Sequence, residues 1–191
     1  MKVHICRSQA VDKKYCFVSR HVSPLKSPIS RGGELVPVMQ EFGVERIDLE
    51  LDEDRGALEL PDLLGNGLNY LVMRSHVAET IGREFALGPH ETAPIALINK
   101  KKRVHSSDYV VVNPHGRVEC LDLERSQMDK NDPEFVRLLG KYSLLESAIP
   151  VDRDIFRVKG LAAGYLFSGR LVDFIRAQQY TNFQFDDVPV S

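Results

Sequence analysis

The sequence has little cysteine, and none of it is spaced for a metal site. Cys6, Cys16 and Cys120 make an odd count in a chain of 191 residues, which is long enough to bury a core without covalent cross-links. Because no CxxC or CxxH pair is present, the sequence predicts three reduced thiols, no structural zinc site and no cofactor.

Long apolar runs are also absent. The first residues are charged from Lys2 onward and lack the apolar core of a signal peptide. No stretch approaches the ~18 apolar residues that a membrane-spanning helix requires. The sequence therefore predicts a soluble, cytoplasmic protein that has no membrane partner.

The sequence lacks both an excess of positive charge and a nucleotide-binding motif. There is no GxGxxG or GxxxxGK[ST] loop for phosphates, and no HxH or HExxH spacing for a metal. The net charge is −2 at pH 7, from 25 Lys and Arg against 27 Asp and Glu. A dedicated nucleic-acid binder needs a basic surplus to release phosphate counterions, so nucleic acid is disfavoured as a partner.

What is present is a series of short strand patterns with helices unevenly spaced between them. Apolar and polar residues alternate at Val3 and Ile5 and again over 47–51, which is typical of half-buried strands. Residues 94–98 predict a buried strand, and the turn residues 113–116 predict a hairpin that joins 109–112 to 117–121. Helices are predicted over 76–86 with Ser75 as the cap, from Asp132 through an apolar stripe to Leu145, and over 169–179 with Ser168 as the cap.

These patterns predict an α+β fold of mainly antiparallel sheets of short strands packed with about three helices. The whole chain, residues 1–191, is expected to form a single globular domain. Residues 61–69 indicate a loop or a broken short helix, so an N-terminal subdomain of residues 1–65 is an alternative organisation.

Two groups of side chains are candidates for catalysis. Cys120 and Asp122 share a strand face and His115 lies in the adjoining turn, but five residues of extended chain span roughly 16 Å, too far for a Cys–His pair unless the chain folds back. His90 and Glu91 lie together in a predicted loop without further ligands. An uncharacterised enzyme with a Cys/His or His/Glu site is therefore kept as an alternative.

Two runs of like charge stand out from the neutral total. Acidic residues crowd one strand and the turn after it, where they form either a solvated edge or a docking face for a basic partner protein. The basic run 100–103 is either a solvated hairpin loop or a phosphate contact of a nucleic-acid accessory protein. The acidic set consists of Asp48, Glu50, Asp52, Glu53 and Asp54.

A series of short motifs in the second part of the chain resembles a known family. They are 94–99 (PIALIN), 109–113 (YVVVN), 120–122 (CLD) with Ser126, 155–157 (IFR), 167–168 (FS) and 180–185 (YTNFQF). Their order and spacing resemble the eleventh immunity-protein family of bacterial polymorphic-toxin systems, a myxobacterial-type domain formerly of unknown function. The resemblance covers roughly residues 65–188, and the family-like region is taken as 66–188.

The resemblance implies a cytoplasmic, non-enzymatic protein that binds a cognate toxin and blocks it by steric occlusion. If that toxin is a basic nuclease, the acidic strand is the expected steering surface. An unpaired edge strand is open to the toxin or to a second copy of the chain, as in a homodimer.

The matching residues are expected to form the framework of the fold. Asp122 and Ser126 suit a turn that leaves the hairpin, Phe156 suits the core, and Arg157 suits a pair with a carboxylate such as Asp122. Where family members often carry a glycine between helix and strand, this chain has Tyr180-Thr181-Asn182, and asparagine also tolerates a left-handed turn.

Overall fold

The computed structural model describes residues 2–8, 14–22, 33–54, 57, 59–129, 137–138, 140–161 and 164–191. Within these residues the chain forms 12 strands and three α-helices, which confirms the α+β class with about three helices. The helices are α1 (Val36–Glu41), α2 (Ser75–Glu84) and α3 (Gly169–Ala177). The strands are β1 (Val3–Ser8), β2 (Phe17–His21), β3 (Ile47–Leu51), β4 (Leu63–Asn66), β5 (Val72–Arg74), β6 (His90–Ile98), β7 (Val104–Pro114), β8 (Met128–Asp129), β9 (Arg137–Leu138), β10 (Ile155–Phe156), β11 (Tyr165–Ser168) and β12 (Phe183–Val188).

Six of the strands close into a barrel in the order β2-β3-β6-β7-β5-β4. The β3–β6 and β2–β4 pairs are parallel and the other pairs are antiparallel. The predicted alternation over 47–51 is confirmed, because Ile47, Leu49 and Leu51 are buried in the barrel core. Leu35 and Met39, at the start of α1 and within it, pack on the same core. Alternation therefore leaves the polar side chains of β3 on the outside of the barrel.

The second sheet is antiparallel and has the order β10-β11-β1-β12. Alternate residues of its strands belong to two separate apolar clusters. Cys6 of β1 and Phe167 of β11 pack with helices α2 and α3, whereas Val3 and Leu166 pack with Leu144 and its neighbours. The sheet therefore has a core on each face.

Strands β6 and β7 form a long hairpin of the barrel, and its turn is the basic run 100–103. The predicted hairpin of 109–112 with 117–121 is wrong, because Thr92 pairs with Val112 and Ile95 with Tyr109. Residues 113–116 still redirect the chain, but Val118 then forms a parallel bridge with Val158. Turn residues reverse a chain locally, whereas the burial of whole strand faces decides which strands pair.

Residues 61–69 include a strand rather than only a loop or broken helix. In β4, Leu63 and Leu64 are both buried and belong to different cores. A Cβ at Gly65 would lie 3.0 Å from the Phe17 ring, so glycine allows β2 and β4 to approach. Strand β3, which lies before residue 65, pairs with β6, which lies after it, and strand β4 contains residue 65 and pairs with β2. The subdomain of residues 1–65 stays a prediction.

Two of the predicted helices are present, with small differences at their ends. Ser168 caps α3 by accepting a hydrogen bond from the Leu171 N–H at 3.3 Å, as predicted, whereas Ser75 is the first residue of α2 and not its cap. The helix predicted from Asp132 begins outside the described residues, and Arg137–Leu138 is a strand. No helix in the described part of the chain is both long and apolar enough to cross a membrane.

The turn after α3 has the hydrogen bonds of a Schellman motif. The Gln179 N–H donates to the Arg176 carbonyl at 3.1 Å, and the Tyr180 N–H donates to the Ile175 carbonyl at 3.3 Å. Gln179 has a φ of 56° and Asn182 a φ of 66°. Asn182 takes the left-handed conformation that its residue type tolerates, and its amide donates to the Leu63 carbonyl at 2.7 Å.

Replacing Gln179 with glycine is expected to raise the free energy of unfolding by about 1 kcal/mol, because a side chain is strained at positive φ. The side chain is exposed, so its removal costs little packing. Urea denaturation of Q179G and Q178G tests this. Gln178 has a φ of −76°, so glycine there should destabilise; stabilisation by both variants would contradict the strain at Gln179.

Candidate partner-binding surface

The two runs of opposite charge lie next to each other on the outside of the barrel. Asp48 and Glu50 point outward from β3, and Asp52, Glu53 and Asp54 follow that strand. Since β3 and β6 run parallel with Glu50 opposite Ile98, the end of β3 lies beside the basic turn that follows β6. We use the name charged face for this surface, which consists of Arg20, Arg46, Asp48, Glu50, Asp52, Glu53, Asp54 and the turn residues Lys100, Lys101, Lys102 and Arg103.

Glu50 is the most heavily bonded carboxylate of the charged face. Arg20 donates to both of its oxygens, from Nε to Oε2 at 3.1 Å and from a terminal nitrogen to Oε1 at 2.8 Å. Lys102 Nζ donates to Oε2 at 3.1 Å. The hydrogen bonds from Arg20, and then the one from Lys102, lower the pKa of Glu50 to about 2. Glu50 therefore stays ionised at any pH where the protein is normally handled.

Other carboxylates of the charged face are paired in the same way. Arg46 donates to Asp48 at 2.9 Å. Lys100 Nζ donates to Asp54 at 2.8 Å, while its backbone N–H donates to Glu53 at 2.9 Å. The chain's own cations thus offset much of the acidic charge, and the basic run is not merely a solvated loop. The sequence of either charge run does not predict these ion pairs, because they form only where β3 lies beside β6.

Replacing Glu50 with glutamine is expected to lower the free energy of unfolding at pH 7 by about 1 kcal/mol. Three charge-assisted hydrogen bonds are weakened, but Arg20 and Lys102 are exposed and can be hydrated instead. Because folding lowers the pKa of Glu50 from 4.5 to about 2, its stabilisation is fully present above about pH 4.5 and is lost as the pH falls towards 2.

Urea denaturation of E50Q at pH 7 and pH 3 measures this effect. Asp48→Asn is the matched control, because Asp48 forms a single ion pair with Arg46 and should contribute less than about 0.5 kcal/mol. A loss from E50Q that is no larger than the loss from D48N would contradict the role given to Glu50.

The two residues of the Cys/His alternative have different surroundings. Cys120 is fully buried with Leu144 and Phe156, and burial raises its pKa to about 11. His115 lies instead beside Glu91, with 3.7 Å between Nε2 and Oε1. A thiol with so high a pKa is rarely ionised at neutral pH and is a poor nucleophile.

The residues of the His/Glu alternative lie within hydrogen-bonding distance of backbone groups. Glu91 accepts hydrogen bonds from the N–H groups of Leu35 and Val36, at the start of α1, and from the Asn113 amide. His90 Nδ1 lies 2.9 Å from the Gly88 carbonyl. Among the residues that the structure describes, no group of three or more His, Cys, Asp or Glu could hold a metal ion.

Three residues that carry the resemblance lie in a hydrogen-bonded turn or in the core. Asp122 accepts hydrogen bonds from the Glu124 and Arg125 N–H groups, both at 3.0 Å, and from the Ser191 hydroxyl at 2.7 Å. These bonds, that of Ser191 first, lower its pKa. The Ser126 hydroxyl accepts from the Ser143 N–H at 3.1 Å. Phe156 is buried in the core.

Arg157 does not pair with Asp122, which corrects the sequence-based expectation. Arg157 donates to the Tyr165 hydroxyl, and its guanidinium carbon lies 4.4 Å from the centre of that ring. Phe156 faces the core that contains Cys120, so strand alternation turns Arg157 to the opposite face, away from Asp122. No local pattern in the sequence indicates Tyr165 as a partner of Arg157.

The motifs that carry the family resemblance lie in both of the larger sheets. The 94–99 and 109–113 motifs belong to the β6–β7 hairpin of the barrel, whereas 155–157 and 167–168 belong to the second sheet. Comparison with known proteins found no family model that matches this chain, and no curated protein that is significantly similar to it.

Proposed function

We propose that this chain is a cytoplasmic immunity protein, which binds a cognate toxin and blocks its activity by steric occlusion. The charged face is the contact surface in this proposal. The family resemblance supplies the class of function, and the arrangement of charges supports the choice of surface.

The observation that carries the proposal is the pairing of charges on the charged face. Arg20 and Lys102 are hydrogen-bonded to Glu50, and Lys100 is hydrogen-bonded to Asp54. Side chains that are already ordered lose less conformational entropy when a partner binds. A fixed pattern of both signs also selects a partner with the complementary pattern, since charge complementarity contributes mainly to specificity and association rate.

The same pairing disfavours a nucleic-acid accessory role for the basic run. Lys100 and Lys102 already bind carboxylates, so a phosphate backbone would have to compete with Asp54 and Glu50. Non-specific nucleic-acid binding depends on cations whose counterions are released, and cations paired within the chain contribute less to it.

Co-expression with the toxin domains encoded in neighbouring open reading frames tests the proposed function. The protein should restore growth of cells that express one of these toxins, and the two should co-purify as a stable complex. Reversing the charges of Asp52, Glu53 and Asp54 should change the association rate several-fold at low salt and less at high salt. Absence of both protection and complex with every neighbouring toxin domain would contradict the proposal.

A further inference from the structure

We infer that the part of the charged face around Glu50 binds an acidic segment of a protein. The inference rests on the proposed function only for the identity of that protein, which would be the toxin. It concerns the charge of the partner, which is negative here, whereas the acidic strand indicated a basic partner.

The cations of this region lie outermost, and the carboxylate lies beneath them. The side chain of Glu50 is 13% exposed, whereas those of Arg20 and Lys102 are 69% and 63% exposed. Lys101 and Arg103, on either side of Lys102, are exposed as well. A partner that approaches along the outside of the barrel therefore meets ammonium and guanidinium groups before it meets the Glu50 carboxylate.

The two outer cations keep hydrogen-bond donors for a partner. Arg20 bonds Glu50 through Nε and one terminal nitrogen, which leaves the donors of its other terminal nitrogen. Lys102 bonds Glu50 through Nζ, and an ammonium group has three donors. Arg20 and Lys102 are matched in number by Glu50 and by Asp52, whose charge also acts on Arg20. The positive surplus of this region therefore comes from the exposed Lys101 and Arg103, while Glu50 orients the donors of Arg20 and Lys102 without using all of them.

The arrangement favours protein carboxylates over a phosphate backbone. A carboxylate accepts from a guanidinium and from an ammonium in the geometry that Glu50 itself displays here. A nucleic acid gains affinity from many cations along its backbone, whereas the surplus here is only the two charges of Lys101 and Arg103. Val104, which follows Arg103, has an exposed side chain and provides an apolar contact next to the cations.

Fluorescence anisotropy with three labelled probes at low salt tests the inference on the full chain. The probes are a decamer of glutamate, a decamer of lysine and a single-stranded DNA decamer. We expect the glutamate decamer to bind more tightly than the other two probes. The double variant R20Q/K102Q should weaken its binding about tenfold, since two exposed ion pairs are lost.

The matched control is R83Q/K159Q, which removes the same charge elsewhere on the surface. Arg83 and Lys159 are 71% and 66% exposed and are ion-paired with Glu84 and Glu119. Tighter binding of the lysine decamer, DNA binding equal to that of the glutamate decamer, or equal weakening by both double variants would each overturn the inference. Failure to bind any probe would overturn it too.

The same variants separate this inference from the proposed function. If R20Q/K102Q binds the glutamate decamer weakly but still protects cells from the toxin as well as the native chain, the contact surface is wrong and the function stands. If the native chain binds the decamer but protects against no neighbouring toxin, the function is wrong and the surface chemistry stands.

Discussion

Replacing Asp154 with asparagine is expected to lower the free energy of unfolding by about 3 kcal/mol at pH 7. The carboxylate is almost completely buried and accepts four hydrogen bonds. Arg170 donates two of them, the Ser168 hydroxyl donates one, and the Ala86 N–H donates one at 3.0 Å. An asparagine has one acceptor oxygen and would turn its NH2 group towards these donors.

Asp154 has this effect because it ties three parts of the fold together. Ala86 follows α2, Ser168 and Arg170 begin α3, and Asp154 itself precedes β10. Burial on its own would raise the pKa of Asp154, but the hydrogen bonds from Arg170, Ser168 and Ala86 outweigh burial and the pKa is lowered. The stabilisation is therefore present above the unfolded pKa of about 3.9 and is lost as the pH falls further.

Urea denaturation of D154N at pH 7 and near pH 3 measures both expectations. The difference from the native chain should be smaller at the lower pH. Asp186→Asn is the matched control, since Asp186 pairs with Arg7 at 3.1 Å on the surface and should contribute at most about 1 kcal/mol. A D154N loss no larger than the D186N loss would show that the Asp154 cluster does not hold the helices in place.

Replacing Phe156 with alanine is expected to lower the free energy of unfolding by about 4 kcal/mol. The ring is 1% exposed and packs with Cys120, Leu144 and Leu166 on the face of the second sheet that lies away from α2 and α3. Removing it leaves a cavity in a cluster built from strand β10, its neighbour and the segment around Leu144, which cannot all move to fill the space.

Thermal or urea denaturation of F156A against F42A tests this expectation. Phe42 is 52% exposed, so the same substitution there should change stability by less than about 1 kcal/mol. Near-equal effects of the two substitutions would place Phe156 outside the core.

Local sequence patterns predicted the elements whose own residues decide their structure. The alternation over 47–51 requires one buried face, and β3 has it. Ser168 followed by an apolar stripe predicted α3 and its cap, because the capping bond joins residues three apart. The asparagine at 182 takes the positive φ that its type tolerates.

Strand pairing could not be predicted in this way. Residues 113–116 have good turn chemistry, yet 109–112 pairs with the preceding strand β6, because pairing there buries Ala93, Ile95 and Tyr109 in the barrel. The strand β4 was missed for a related reason. Its four residues show no alternation, since Leu63 and Leu64 face different cores, and a short strand covered on both sides lacks a period.

The charged face also combines a feature that the sequence predicts with one that depends on strand pairing. The sequence identified both charge runs but treated them separately. The acidic run was either a solvated edge or a docking face for a basic partner, and the basic run was either a solvated loop or a phosphate contact. The register of β3 with β6 brings the runs together, and the depth of Glu50 under Arg20 and Lys102 reverses the sign of the outer charge. The spacing of residues along the sequence predicts neither the β3–β6 register nor the burial of Glu50.

The sequence by itself determined the α+β class, the start and cap of α3, the inward face of β3 and the near-neutral total charge. Each of these depends on residues close together in the chain or on a simple sum. The tertiary structure decided that six strands close into a barrel, that Arg157 packs on Tyr165, and that the acidic and basic runs lie side by side on its outside. Those outcomes depend on contacts between residues far apart in the chain, which form only when whole faces are buried together.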